Sequence, residues 1–289
     1  GAENIATDFY LAYSPEREDP GNKQFGLAQI PKVVGGANPP SSRAAQALYA
    51  QIVARVIPVS STRAAEMCKL LENIFRCVNI AMVNELKLLC TRMGIDIWEV
   101  IDSAATKPFG FMPFYPGPGL GGHCIPVDPF YLSWKAREYD FATRFIELAG
   151  EINTQMPYHV VSAVGDALNQ RSKSLKGSRV LVLGVAYKPN VSDMRESPAI
   201  EVAEGLLRKG AQIDYHDPHV PRFRDAGGAW RESVDLARLV DDAACLVVVT
   251  AHRVIDWELV YERASLVVDT TNSSRGRVRR AGQVLRLGA

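Results

Sequence analysis

The residues best suited to chemistry lie in one glycine- and proline-rich stretch, residues 117–129, which reads Gly-Pro-Gly-Leu-Gly-Gly-His-Cys-Ile-Pro-Val-Asp-Pro. Its four glycines allow positive φ and let the backbone approach a ligand closely. Cys124 follows the last glycine after one residue, His123, and Asp128 lies four residues further on. With Pro126 and Pro129 stiffening the path, a thiol and a carboxylate in fixed relation could carry out covalent catalysis. A surface loop holding an ordinary hydrophobic cysteine explains this stretch alone equally well.

A second candidate pair is Lys69 and Asn73, which are four residues apart in a helical pattern. That spacing places both side chains on one helix face, where a cation and an amide donor could stabilise an oxyanion. The periodicity alone favours a solvated helix face, on which Glu66 and Glu72 make ordinary ion pairs.

Charged residues in two turns could contact a ligand. Glu16 belongs to a Ser-Pro-Glu-Arg turn after a predicted strand, where doubly wound sheets place ligand-contacting residues, although such a charge is usually only solvated. Residues 184–197 join a predicted strand to a helix beginning at Ser197, and Lys188 and Arg195 add positive potential for phosphate. This strand-to-helix connection lacks the G-x-G-x-x-G fingerprint of dinucleotide binding. Two interpretations are equally favoured: a site for a nucleotide other than the redox cofactor, and a surface cluster that ties two domains together.

The elements that position these residues predict an α/β protein with three parts. Residues 1–59 indicate the remnant edge of an N-terminal α/β domain. Residues 60–172 predict a central all-α domain with one long helix, whose length is typical of a helix that bridges domains or forms a dimerisation interface. Residues 173–289 predict a C-terminal Rossmann-like, doubly wound parallel sheet. The individual predictions are strands at 10–13, 32–34, 55–59, 179–184, 211–215, 245–250 and 266–269, and helices at 41–53, 60–93, 97–105, 129–137, 144–168 and 197–209, with a new helix beginning at Pro157.

The composition narrows the class of protein. The chain has 289 residues, a net charge of +1 and a 47% hydrophobic share, which argue against nucleic-acid binding. Its five cysteines contain no CxxC pair, and its histidines lack ligand spacing, so we expect reduced thiols and no metal site. No apolar run is long enough to span a bilayer and no leader is apparent, which predicts a cytoplasmic protein without a membrane partner.

Four motifs in this order resemble the UDP-glucose/GDP-mannose dehydrogenase family, in the branch acting on UDP-N-acetylhexosamines. They are the Ser-Pro-Glu-Arg turn, Lys69-Leu-Leu-Glu-Asn73, the Gly-Gly-His-Cys-Ile-Pro-Val-Asp loop and Lys188 with Asp193-Met-Arg195-Glu-Ser197. Each motif is weak or moderate alone, whereas the combination covers nearly the whole chain and is highly specific.

The resemblance assigns residues 1–59 to the C-terminal remnant of an NAD-binding Rossmann domain, residues 60–172 to a dimerisation and catalytic domain, and residues 173–289 to a UDP-binding domain. It implies oxidation of the C6 alcohol of UDP-N-acetylglucosamine, or a related UDP-hexose, to a uronic acid by a homodimer with two NAD+ per turnover. Cys124 would hold the aldehyde as a thiohemiacetal and then as a thioester. Lys69 and Asn73 would stabilise oxyanions, Asp128 would assist proton transfer, and Glu16 would help in oxidation or hydrolysis. The implied substrate-binding residues are Gly119, Gly121, Gly122, Tyr115, Lys107, Lys188 and Arg195, and the implied cofactor-binding residues are Glu16, Lys188 and Arg195.

Two departures from the family pattern matter. The glycine-rich NAD fingerprint of the N-terminal domain is absent from this sequence, so we expect no NAD-dependent turnover by this chain alone. Thr271 stands where relatives commonly carry an arginine, which removes a cation near the nucleotide. Two alternatives therefore stay open: a non-catalytic UDP-sugar-binding or dimerisation module, and an unrelated α/β protein with a redox-sensing Cys124.

Overall fold

The computed structural model describes residues 5, 8–19, 25–225, 227–277 and 280–289. These residues fall into two compact units, residues 1–75 and residues 76–289. The predicted turn that contains Glu16 ends with Pro20 and Gly21. These two residues lie outside the described residues.

The N-terminal unit contains a three-stranded sheet in which the second strand pairs antiparallel with the first and parallel with the third. The helix between the last two strands begins where the Asn38 side chain accepts the N–H of Ser41, and Pro39 occupies its first turn. The elements are β1 (Ala12–Tyr13), β2 (Lys32–Gly36), α1 (Pro39–Tyr49) and β3 (Val56–Val59).

One long helix, α2 (Thr62–Met93), runs without interruption for 32 residues. It ends where Gly94 adopts a φ of 67°, a conformation that glycine accepts readily. A shorter helix, α3 (Ile97–Ala104), follows, and its first N–H groups donate to the side chain of Asp96. The three- and four-residue spacing of apolar residues predicted both helices correctly.

Two further helices flank a short 3₁₀ turn: α4 (Asp128–Ala136) and α5 (Arg144–Asn169). The prediction that a new helix begins at Pro157 is wrong, because Pro157 lies inside α5. Proline removes one helical hydrogen bond, but the neighbouring Met156, Val160 and Val161 are almost completely buried. Packing of this apolar face keeps the helix continuous through the proline.

The C-terminal half of the second unit is a five-stranded, all-parallel sheet in the order β10-β9-β8-β4-β5. The predicted doubly wound sheet is confirmed, while the last strand, a small hairpin and two short helices were not predicted. The elements are β4 (Arg179–Leu183), α6 (Pro198–Arg208), β5 (Gln212–His216), the hairpin β6 (Arg222–Arg224) and β7 (Trp230–Glu232), α7 (Leu236–Leu239), β8 (Cys245–Val248), α8 (Trp257–Arg263), β9 (Val267–Asp269) and β10 (Val284–Arg286).

Alternate residues of β4 enter two separate cores. Val180 and Val182 pack with apolar residues of α5 and α6, whereas Leu181 and Leu183 pack with residues of α7 and α8. The chain leaves β4 for β5 on one side and returns to β8 on the other, so the strand order reverses at β4. Ligands of open parallel sheets bind at such a reversal, outside the carboxyl ends of the strands.

Across the described ranges, no helix is both long and apolar enough to cross a membrane.

Candidate functional site

Cys124 and Asp128 lie at the two ends of a single turn. The carbonyl oxygen of Cys124 accepts the N–H of Asp128 at 2.8 Å and the N–H of Val127 at 3.1 Å. Asp128 is the first residue of α4, and both side chains are half-buried. A short hydrogen-bonded turn therefore fixes the backbone positions of a thiol and a carboxylate relative to one another.

The glycines before Cys124 bring the loop against the segment that follows β4. Gly119 has a φ of 147°, and a Cβ atom there would lie 2.8 Å from Pro198 Cβ. A Cβ at Gly121 would lie 2.8 Å from the carbonyl oxygen of Glu196, and one at Gly122 would lie 3.0 Å from the ring of Tyr187. Close packing between two loops of the protein therefore requires these glycines, whatever ligand the loop also contacts.

Arg195 links that segment to the glycine loop. The N–H of Gly122 donates to the carbonyl oxygen of Arg195 at 3.0 Å. The guanidinium pairs with Asp193, with a 2.6 Å contact from Nη2 to Oδ2, and this hydrogen bond lowers the pKa of the Asp193 carboxyl. The same guanidinium interacts electrostatically with the Cys124 thiol. The structure thus brings together a predicted phosphate-binding residue and the predicted nucleophile.

Lys188 lies in the same segment, half-buried, with Nζ 5.7 Å from the ring centroid of Tyr187. Tyr187 is also the residue that a side chain at Gly122 would strike. The Lys188 region and the glycine loop are therefore neighbours on either side of one aromatic ring.

Asp217 fixes the backbone that leads to Lys188. Its Oδ2 accepts the N–H groups of Val185 at 2.7 Å and Ala186 at 3.0 Å, and it lies 3.0 Å from Nε2 of His252. Nδ1 of His252 accepts the N–H of Asn190 at 2.9 Å, which assigns the neutral tautomer with its proton on Nε2. Although burial opposes the shift, the hydrogen bond from His252 and the main-chain N–H groups lower the pKa of Asp217 to about 2.

Sequence reasoning did not identify Asp217 and His252 as members of the site. The signal was present, because Asp217 comes directly after β5, at the carboxyl edge of the sheet. The chain position of His252 carries no such signal, since it follows β8 only after several further residues.

Tyr115 and Lys107 lie beside α3. Tyr115 stacks on Trp98, with ring centroids 5.9 Å apart, and its hydroxyl donates to Asp102 at 2.7 Å. This hydrogen bond to a carboxylate raises the pKa of Tyr115. Lys107 is exposed, and its Nζ lies 5.0 Å from the ring centroid of Phe109. Tyr115 therefore already has a polar partner within the protein.

In the N-terminal unit, the carboxylate of Glu16 is bound on both oxygens. Oε2 accepts from Nζ of Lys32 at 2.9 Å, and Oε1 accepts the N–H groups of Arg17 and Glu18 at 2.8 and 2.9 Å. The Lys32 hydrogen bond is the main cause of a lowered pKa at Glu16. The carboxylate is therefore kept ionised and oriented in its turn, although its side chain is 62% exposed.

Lys69 and Asn73 both lie on α2, as predicted. Asn73 is completely buried, so the solvated helix face that the periodicity favoured is wrong for this residue. Glu72 pairs with Arg17, at 2.7 Å from Nη2 to Oε1. Lys69 is half-buried.

The second half of α2 supplies two further residues that sequence reasoning missed. Oδ1 of Asn84 accepts the N–H of Gly117 at 2.9 Å, and Nζ of Lys87 donates to the carbonyl oxygen of Gly117 at 3.3 Å. Gly117 is the first residue of the glycine loop. The apolar periodicity of α2 concealed these residues, because polar side chains three apart normally indicate a solvated face.

Within the described residues, no group of three or more histidine, cysteine, aspartate or glutamate side chains could hold a metal ion.

Comparison with known proteins gives two matches to one family. Residues 63–155 match the central domain of the UDP-glucose/GDP-mannose dehydrogenase family, and residues 181–275 match its UDP-binding domain. Among curated proteins, the chain is similar to UDP-N-acetyl-D-glucosamine 6-dehydrogenase of Pseudomonas aeruginosa, at 39% identity over 74% of this chain and 50% of the relative. It is also similar to UDP-N-acetyl-D-mannosamine dehydrogenase of Salmonella typhi, at 41% identity over 70% of this chain and 48% of the relative.

A solved structure shares the fold over nearly the whole chain. The UDP-D-ManNAc dehydrogenase of Pyrococcus horikoshii superposes with a TM-score of 0.82 at 32% identity, covering 93% of this chain and 62% of the other. This chain spans about half the length of the curated relatives it matches. With both family domains matched in order, the chain belongs to the UDP-glucose/GDP-mannose dehydrogenase family, and the relatives just described are UDP-N-acetylhexosamine dehydrogenases.

Proposed function

We propose that this chain carries the UDP-sugar site and the nucleophilic thiol of a UDP-N-acetylhexosamine 6-dehydrogenase, which oxidises the C6 alcohol of UDP-N-acetylglucosamine, or a related UDP-hexose, to a carboxylate. The observation that carries this proposal is the turn joining Cys124 to Asp128, packed against the segment that bears Arg195. In a member of this family, that arrangement sets a thiol beside a cationic segment of the UDP-binding domain.

Cys124 is proposed as the group that retains the intermediate. Its sulfur adds to the C6 aldehyde to form a thiohemiacetal, which keeps the aldehyde from leaving the enzyme. Loss of a hydride from the thiohemiacetal carbon, to the nicotinamide acceptor that the family resemblance implies, and of the hydroxyl proton would leave a thioester on the same sulfur. Attack by water would then break the carbon–sulfur bond, releasing the uronic acid and the Cys124 thiol. Asp128, one turn away on the backbone, is suited to accept a proton from that water.

Lys69 and Asn73 are proposed to stabilise the oxyanion that forms when the carbonyl is attacked. The burial of Asn73 supports this, because a hydrogen-bond donor sheltered from water acts more strongly on developing charge. Glu16 is proposed to act in oxidation or in thioester hydrolysis. Its lowered pKa keeps it ionised at neutral pH, so it is suited to orient a water molecule as a hydrogen-bond acceptor and not to donate a proton.

The UDP group is proposed to bind at the crossover between β4 and α6. Lys188 and Arg195 supply positive charge there, and the side chain of Ser197 caps α6, whose first turn is electropositive. We further propose that the loop meets the sugar and nucleotide through Gly119, Gly121, Gly122, Tyr115 and Lys107. Thr271 supplies no cation on the other side of this crevice.

The hydride acceptor that the family resemblance implies is NAD, with Glu16, Lys188 and Arg195 as proposed contacts. The N–H groups of Val185 and Ala186, which could bind a dinucleotide diphosphate at this first crossover, already donate to Asp217. A diphosphate at this crossover is therefore proposed to be held by Lys188, Arg195 and the start of α6, as for UDP, and not by these two main-chain groups. We assign no reaction step to NAD at this sheet.

A homodimer through the central helices is the proposed assembly. Large aromatic side chains of α4, of the following turn and of the start of α5 are exposed, several by more than 60%. Apolar patches of this kind mark interfaces in soluble proteins. The patch consists of Tyr131 (65% exposed), Trp134 (66%), Tyr139 (68%), Phe141 (64%) and Phe145 (78%).

Calorimetric titration tests the proposed function. UDP-N-acetylglucosamine should bind this chain, and a Lys188→Met/Arg195→Met variant should bind at least about tenfold more weakly, since two cationic contacts to a diphosphate are removed. The matched control is Arg253→Met, an exposed arginine after β8. Equal affinity in all three proteins would place the nucleotide elsewhere.

The role of Cys124 is tested by alkylation. Bound UDP-N-acetylglucosamine should slow the reaction of iodoacetamide with Cys124 but not with Cys68, because only Cys124 lies in the proposed sugar site. Equal protection of both thiols, or of neither, would contradict this assignment.

A second candidate function is a non-catalytic UDP-sugar-binding or dimerisation module. The occupied N–H groups at the crossover favour it, because they leave the sheet of the C-terminal half without these two main-chain donors for a dinucleotide diphosphate. Titration with NAD+ separates the two: binding of UDP-sugar without any binding of NAD+ supports the module for this chain.

A further inference from the structure

Two polar side chains of α2 bind both main-chain groups of Gly117. Asn84 accepts its N–H at 2.9 Å, and Lys87 donates to its carbonyl oxygen at 3.3 Å. The two side chains are three residues apart, one helical turn, and are 0% and 1% exposed. The first residue of the glycine loop is thus attached to a helix rather than to its own neighbours.

The orientation of Asn84 is determined by a buried chain of amides. Its Nδ2 donates to Oδ1 of Asn153 at 3.0 Å, and Nδ2 of Asn153 donates to the carbonyl oxygen of Cys77 at 3.2 Å. A flipped Asn84 amide would set its NH2 group against the Gly117 N–H, donor against donor, and its oxygen against Oδ1 of Asn153, acceptor against acceptor. The Asn84 oxygen can therefore face only Gly117.

Lys87 is an unusual choice if its role is only to stabilise the fold. Burial lowers the pKa of its amine to about 8, against an opposing attraction from Asp269. A buried ammonium group carries a desolvation penalty that one carbonyl contact does not offset. Its stem is enclosed as well, since a Cβ at Gly288 would lie 2.9 Å from Lys87 Cγ. A fixed donor aimed at the loop accounts for a lysine here better than stability does.

We propose that Asn84 and Lys87 are positioning residues that set the start of the glycine loop and thereby the placement of the Cys124 thiol. The importance of Cys124 in this inference rests on the proposed function, whereas the attachment of Gly117 to Asn84 and Lys87 does not. The loop is bound again at Gly122, through the carbonyl oxygen of Arg195. The two attachments bracket the glycine-rich part of the loop, so releasing the first frees the segment immediately before the thiol.

Competitive alkylation of this chain, without any ligand, tests the proposal. Iodoacetamide is applied to the parent, Asn84→Ala and Lys87→Met proteins, and the ratio of Cys124 to Cys68 modification is measured by peptide mass spectrometry. Cys68 is also half-buried but lies on α2, outside the loop. Each variant should raise the ratio by about fivefold or more, the factor expected when one buried hydrogen bond is lost.

Two controls distinguish positioning from general loss of stability. Gln283→Ala removes a buried amide that donates to the carbonyl oxygens of Tyr261 and Ala264, far along the chain from the loop, and should leave the ratio unchanged. Asn84→Asp keeps an acceptor for the Gly117 N–H while losing the donor to Asn153, and should return the ratio to within about twofold of the parent.

The proposal is overturned if Asn84→Ala and Lys87→Met leave the ratio at the parental value, or if Gln283→Ala raises it equally. If Asn84→Ala does not fold, Lys87→Met still decides the matter, since it removes a buried charge without opening a large cavity. Titration with UDP-N-acetylglucosamine addresses the proposed function separately, so failure of one is distinguishable from failure of the other.

Discussion

Replacing Asp217 with asparagine should destabilise the C-terminal sheet at its carboxyl edge. The Asp217 carboxylate accepts three hydrogen bonds on Oδ2, from Val185, Ala186 and His252. It accepts two more on Oδ1, from the N–H groups of His219 and Val220. Asparagine offers one acceptor oxygen and one amide, so the donors on one side of the side chain would face another donor.

The magnitude follows from the two donors left without an acceptor. Each buried unsatisfied donor costs about 1–3 kcal/mol, so Asp217→Asn should lower the free energy of unfolding by about 2–6 kcal/mol at pH 7. Asp217 is 1% exposed, and water cannot readily replace the lost acceptor. Asp242→Asn, at an exposed carboxylate after α7, is the matched control and should leave the free energy of unfolding unchanged.

The pH dependence supplies a second signature. In the folded protein the pKa of Asp217 is lowered from 3.8 to about 2, with burial opposing the shift and the hydrogen bonds from His252 and the main chain producing it. A carboxyl with a lowered pKa stabilises the fold above its unfolded pKa and loses that contribution as the pH falls through the folded value. About 2–3 kcal/mol should therefore disappear between about pH 5 and pH 1 in the parent but not in Asp217→Asn.

Urea unfolding, monitored by circular dichroism, measures both the free energy of unfolding at pH 7 and its pH dependence. Hydrogen exchange of the peptide containing Val185 and Ala186 reports the local loss of hydrogen bonds to Asp217. Faster exchange of this peptide in Asp217→Asn is expected even under conditions where the whole chain stays folded. Equal unfolding free energies for Asp217→Asn and the parent at pH 7, with unchanged exchange at Val185, would refute the reasoning.

Three further predictions concern the glycine loop, Lys87 and the exposed aromatic patch. Gly121→Ala should lower the free energy of unfolding by about 1–3 kcal/mol and weaken UDP-sugar binding, because the added Cβ would lie 2.8 Å from a carbonyl oxygen. Gly117→Ala is the control: its Cβ would have no atom nearer than 3.7 Å, so thermal unfolding should be unchanged. Because burial lowers the pKa of Lys87 to about 8, its amine binds a proton more weakly in the folded protein than in the unfolded chain. The free energy of unfolding of the parent should therefore rise between about pH 8 and pH 10. Urea unfolding across this range should show no such rise in Lys87→Met. Trp134→Glu/Phe145→Glu should convert a dimer to a monomer in analytical ultracentrifugation, and a parent that is already monomeric would remove the basis for the proposed interface.

The order and type of the long elements could be predicted because their patterns are unambiguous. The apolar steps of α2 and the continuous apolar run of β4 each match one periodicity. The prediction of a new helix at Pro157 was wrong, because a proline reliably ends a helix only where packing does not hold the helix together. The strand Val284–Arg286 was missed since three residues carry no periodic signal.

The residues of the candidate site also fall into two groups, those that a sequence pattern indicated and those that no pattern indicated. Cys124, Asp128 and Arg195 are adjacent to glycine and proline signals or to a helix start, and the sequence alone drew attention to them. Asn84 and His252 act through partners that are 33 and 62 residues away in the chain, namely Gly117 and Asn190. Contacts at such separation exist only after folding, so no local pattern announces them.

The packing of the glycine loop against residues 187–198 limits how substrate preference can evolve in this chain. Gly119, Gly121 and Gly122 have no space for larger side chains, because a Cβ atom at each would lie 3.0 Å or less from another part of the protein. Variation among the side chains of this part of the loop is therefore left to the neighbouring positions Leu120, which is half-buried, and His123, which is exposed. A library randomised at these two positions should thus keep far more folded members than one randomised at the three glycines.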